Sequence, residues 1–114
     1  MASMRLQVID NTEFEAPKGF TRPQLFKLNT LYSQAVSNGV MKDRAINYGA
    51  GVAVYSFYPN ARSDAAFAFL MRQISLREAS YEVFQGGKGR IAQSRGFDLA
   101  FRKLSDGIES LCMP

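Results

Sequence analysis

The sequence contains no histidine and no tryptophan, and among its 114 residues only Cys112 carries a thiol. Without histidine the commonest general base and metal ligand is missing, and with it every Ser–His or Cys–His nucleophile pair. A single cysteine forbids an internal disulfide and offers no second thiolate for a Cys-based zinc site, so Cys112 reads as an incidental thiol on a last helical turn. Long apolar runs are also missing. The longest, around Val52–Tyr58 and Ala65–Met71, fall well short of the roughly 18 residues a membrane-spanning helix requires, so no membrane partner is expected. The first residues, MASMRLQVIDNTEFEAPKG, lack a basic-then-apolar signal pattern, and a reducing, cytoplasmic setting is the default expectation. Ten carboxylates are present, but no spacing marks two of them as an acid–base couple, and DNTEFE reads as a polar loop. No enzyme, no cofactor and no metal site is expected.

What the chain does have is apolar material. At 46% hydrophobic and 21% charged, with nine Phe and five Tyr, it can bury a core, and its length suits one domain over 1–114. MRLQVID alternates as a short strand, with Leu6 and Val8 on one side. A helix follows over 22–37: Thr21 is a good N-cap, Gln24 completes a capping box, Pro23 sits in the first turn and Phe20 can staple against Leu25. Its inward stripe is Leu25, Leu28, Tyr32, Ala35 and Val36, and Asn38-Gly39 ends it.

From Asp43 onward, DRAINYGAGVAVYSFYP reads as strand, Gly-Ala-Gly turn, strand. Val52, Val54, Ser56 and Tyr58 share one face of the second strand while Ala53, Tyr55 and Phe57 share the other, so both faces are apolar or aromatic. Such a strand is expected to be central, covered by helices on one side, with its other side packed or open to something flat. The run at 65–73 mixes helix-forming residues with strand alternation and is assigned as strand. Two strands around the turn in SYEVFQGGKGRIAQS form a hairpin, and a second amphipathic helix over 97–112 turns Phe97, Ala100, Phe101, Leu104, Ile108 and Leu111 inward. The order β-α-β-β-β-β-β-α predicts an α+β domain: an antiparallel sheet of about five or six strands with two helices on one face.

The segment VFQGGKGRIAQSRGF resembles a phosphate-binding loop at first sight. Such a loop works because a strand feeds a glycine turn that opens directly into a helix. Here the glycines lead into the strand-like RIAQSR, and Lys88 is followed by Gly89 rather than Ser or Thr. A hairpin turn using glycines for positive φ is the simpler expectation. What remains is charge. Residues 86–103 hold Lys88, Arg90, Arg95, Arg102 and Lys103 against Asp98 alone, a net +4 that equals the charge of the whole chain. A turn tip and the start of the final helix could form one basic surface for an anionic partner such as a nucleic-acid backbone. Tyr48, Tyr55, Tyr58 and Tyr81 sharpen that reading, because exposed rings stack on bases. The plainer alternatives are a solvated basic face and an aromatic stripe belonging to the core.

Two resemblances follow. Phe20, Arg22 and Leu25, then LNTLY at 28–32, Gly39, the 43–46 segment, AVYS at 53–56, SYEV at 80–83 and RGFDLA at 95–100 resemble a small alphaproteobacterial family catalogued as a domain of unknown function, over about three quarters of the chain. The resemblance implies a fold and no activity. The sequence departs from the pattern at Phe97, where the family is expected to carry histidine. Residues 80–111, a Gly-Lys-Gly-Arg hairpin followed by a helix, are similar to the strands-then-helix unit of PUR-type single-strand-binding regulators.

The resulting expectation is a non-catalytic protein that binds single-stranded or distorted nucleic acid. Lys88, Arg90 and Arg95 would contact phosphates, Arg102 and Lys103 would flank them, and Tyr55 or Tyr58 would offer a stacking surface. The alternative is a small regulatory or inhibitor protein, of the kind phages encode, that docks on a protein partner with the same residues. Homo-oligomer formation through an edge strand suits so short a domain.

Overall fold

The computed structural model describes residues 19–112, and the strand expected in MRLQVID lies outside them. Helix α1 (Arg22–Ser37) is followed by strands β1 (Asp43–Gly49), β2 (Val52–Tyr58), β3 (Phe67–Gln73), β4 (Ala79–Gln85) and β5 (Gly89–Ser94), and helix α2 (Phe97–Cys112) closes the order. The strands form a single antiparallel meander in sequence order, with β1 and β5 at its edges. The fold is α+β, as expected. No helix among the described residues is long and apolar enough to cross a membrane.

Both ends of α1 follow local chemistry. Thr21 Oγ1 accepts from the Gln24 backbone N–H at 3.2 Å and the Gln24 side chain accepts from the Thr21 N–H at 3.0 Å, so the capping box satisfies two donors that a helix start otherwise leaves orphaned. Phe20 is buried, its ring 6.0 Å from Phe69, and Leu25 packs against the same cluster. At the other end Gly39 takes φ 76°, the left-handed turn for which glycine is suited.

The helices lie side by side and parallel on one face of the sheet. Lys27 Nζ meets Asp98 at 3.1 Å near their starts, and Asn38 Nδ2 meets Cys112 Sγ at 3.6 Å near their ends. Between helices and sheet sits a core of Leu28, Leu31, Ala35, Ala53, Tyr55, Phe57, Phe67, Phe69, Met71, Val83, Ala100, Leu104 and Ile108. Phe97 makes edge contacts with Phe69 at 5.3 Å and Tyr81 at 5.5 Å and stacks on Phe101, so an aromatic cluster anchors the start of α2. Gly107 lets α2 approach β3: a Cβ there would lie 2.7 Å from the Phe67 ring.

Two inward assignments are corrected. Val36 is exposed and Leu31 is buried in its place, because α1 packs against α2 as well as the sheet and its inward face turns toward that neighbour. Leu111 is likewise exposed, and the buried stripe of α2 stops at Ile108.

Candidate functional site

Directly paired residues of antiparallel strands point to the same face, so register assigns each side chain to one side of the sheet. Ala53, Tyr55 and Phe57, opposite Met71, Phe69 and Phe67, face the helices. Residues of the other parity face away, and no described helix packs on that side. Three rows cross this second face. Ala45, Ser56, Ala68, Phe84 and Arg90 form one; Asn47, Val54, Leu70, Glu82 and Gln93 form the next; Val52, Arg72 and Ser80 form the third. The centre is apolar and one side of it is cationic.

Tyr58 and Phe84, both half-buried, stand at the same end of this face. Ala68 lies on the strand between theirs, paired to Ser56 on one side and Phe84 on the other, and Ser56 is the next residue of this face along the strand of Tyr58. Two strand spacings separate Phe84 from the strand of Tyr58, roughly 10 Å. Phe84 is paired in turn with Arg90 on β5. The face therefore presents two rings on strands two apart, with a guanidinium beside one of them.

Glu82 is the one buried carboxylate among the described residues, with a side-chain exposure of 6%. Arg72 Nε lies 3.3 Å from its Oε2 and Arg90 Nη1 lies 3.5 Å from its Oε1. A carboxylate withdrawn from water needs such partners, since an unpaired buried charge is costly. Both arginines keep half their side-chain surface exposed, 51% each. They reach Glu82 diagonally, from β3 on one side and β5 on the other.

The glycine-rich segment is a hairpin turn. Gln85 pairs with Gly89, the Lys88 N–H donates to the Gln85 carbonyl at 2.9 Å, and Gly87 and Gly89 both take φ 82°. The chain continues into β5, and no helix starts until Phe97. The backbone N–H groups thus serve a turn and are not fanned out toward an anion at a helix start.

The predicted site residues do not come together as one surface. Lys88 is exposed at the turn tip, whereas Arg95 lies beyond the opposite end of β5, roughly 20 Å away at about 3.3 Å per strand residue. Arg95 also pairs with Glu78, its Nη1 3.2 Å from Oε1. Arg102 and Lys103 are exposed on α2, in the helical layer on the other side of the sheet. The expected basic surface of turn tip plus helix start is therefore corrected: an extended strand carries its two ends apart.

Tyr55 is corrected as well. It is fully buried against the helices, and its hydroxyl donates to Asn29 Oδ1 at 2.7 Å while Arg44 donates to the same Asn29 oxygen at 2.9 Å. The Arg44 guanidinium lies over the Tyr32 and Tyr55 rings at 5.4 and 5.9 Å. Burial pushes the Tyr55 phenol above its ordinary value, with Arg44 opposing the shift. A ring held this way has no face to offer a base. Of the seven residues, Tyr58 and Arg90 are on the helix-free face and Lys88 stands at its end. Arg72, Glu82 and Phe84 were missed, although the parity of FAFLMRQ and SYEVFQ groups each with its face-mates.

Comparison with known proteins finds no matching family model, no matching curated protein and no matching solved structure.

Proposed function

We propose that this chain is a non-catalytic binding module whose working surface is the helix-free face of the sheet, and that its ligand is single-stranded nucleic acid. The observation that supports the reading is the placement of Tyr58 and Phe84 at one end of this face, on the strands to either side of the one that carries Ala68, with Arg90 paired to Phe84 and Lys88 at the adjoining turn. Rings on an open sheet stack on bases of any sequence, at roughly 1–3 kcal/mol per base, while cations beside them meet the phosphates. The lack of histidine and the single cysteine fit binding without chemistry.

A second reading, docking on a protein, is favoured by Val52, Val54 and Leu70. Their aliphatic surface contributes nothing to stacking, and an apolar centre with arginines at its rim is the anatomy of a protein interface.

Fluorescence anisotropy of a labelled single-stranded oligonucleotide at about 50 mM salt decides between them. Saturable binding is expected, falling steeply as salt rises because counterions are released. Tyr58→Ala and Phe84→Ala should each weaken it by roughly 1–3 kcal/mol. Lys103→Gln, in the helical layer, should leave it nearly unchanged. A flat titration for the wild-type protein would remove the nucleic-acid reading and leave the docking one.

A further inference from the structure

The Arg72–Glu82–Arg90 cluster calls for an explanation beyond cross-strand pairing. A lone exposed ion pair on a sheet stabilises little. Here one buried carboxylate, at 6% exposure, holds two guanidiniums from strands on either side of it, and each of these keeps 51% of its side chain in solvent. Arg72 donates its Nε–H to Glu82 and Arg90 meets the same carboxylate through Nη1, so each guanidinium meets Glu82 through a single nitrogen. The cluster carries a net positive charge, it stands beside Phe84, and its geometry is set by three adjacent strands, not by loops.

We infer that Arg72 and Arg90 form a preorganised clamp for phosphodiester groups, and that Glu82 is a positioning residue that fixes their spacing and does not itself touch the ligand. This rests on the sheet-face reading and deepens it: the clamp binds the backbone of a strand whose bases stack at Tyr58 and Phe84. Guanidinium suits the task because its planar fork pairs two N–H donors with two phosphate oxygens, which an ammonium cannot do. Glu82 also limits rotation of two long side chains that would otherwise lose conformational entropy on binding.

Charge and geometry make opposite predictions here. If only charge mattered, Arg72→Lys and Arg90→Lys would be silent and Glu82→Gln, which removes the negative charge from the cluster, would bind more tightly. The clamp predicts that each Arg→Lys variant weakens binding of a labelled single-stranded oligonucleotide about tenfold with its salt slope unchanged, since charge is kept and the fork is lost. It predicts that Glu82→Gln weakens binding although the face becomes more positive. Should Glu82→Gln fail to fold, the two half-exposed Arg→Lys variants decide alone. Inorganic pyrophosphate, followed by NMR of the arginine side chains, serves as a second probe. Variants that bind the oligonucleotide as the wild type does, or a tighter Glu82→Gln, would overturn the clamp while the sheet-face reading stands. A wild-type protein that ignores the oligonucleotide but binds pyrophosphate with the same variant pattern would keep the clamp and remove the nucleic-acid reading. Binding of poly-glutamate with neither phosphate probe would overturn the phosphate assignment in favour of an acidic protein partner, and silence toward all three probes would overturn it outright.

Discussion

Gly107→Ala places two effects of known size against each other. In the middle of a helix, alanine is favoured over glycine by about 1 kcal/mol, so an exposed position would gain stability. At Gly107 the added Cβ would meet Phe67 Cε1 at 2.7 Å and Cζ at 2.9 Å, closer than a real Cβ contact allows. Phe67 is 1% exposed and belongs to the core, so its ring has little room to move. Overpacking of this kind costs about 1–3 kcal/mol, which exceeds the propensity gain. The expected outcome is a net loss of about 1 kcal/mol, seen in urea denaturation followed by circular dichroism and as a fall in Tm of roughly 4–8 °C for a domain of this size. Phe67→Leu completes the test, because leucine lacks the two ring atoms concerned. In that background Gly107→Ala should be neutral or stabilising, for a coupling of about 1–2 kcal/mol between the sites. A Gly107→Ala protein as stable as the wild type with Phe67 intact would refute the close packing of α2 on β3.

Two further outcomes concern the helix-side network. Thr21→Ala should cost about 1 kcal/mol by breaking the capping box with Gln24, read as a lower denaturation midpoint; an unchanged midpoint would count against it. Burial raises the Tyr55 phenol above its usual 10.0, so the folded protein holds this proton while the unfolded chain releases it. Its contribution to stability is complete below about pH 10 and declines as pH climbs through the folded-state value. Urea midpoints measured across that range should fall more steeply for the wild type than for Tyr55→Phe, and parallel profiles would disprove the link.

Much of the fold was legible in the sequence because its signals are local. The Thr21–Gln24 box marks the start of α1, Gly39 its end, and the alternation after Asp43 the strands. A cap or a turn is settled by a few neighbouring dihedral angles and the hydrogen bonds they bring within reach.

The candidate site was not legible in that way. Both parities of VAVYSFY are apolar and aromatic, so alternation alone does not say which side the helices cover. Packing did, sending Tyr55 into the core and Tyr58 to the helix-free face. Lys88 and Arg95 are near in sequence and far in space because β5 is extended between them, and Arg72 joins Arg90 through Glu82 across three strands. Which charges meet depends on strand order and register, set by burial of the whole apolar face at once and by no short stretch of chain.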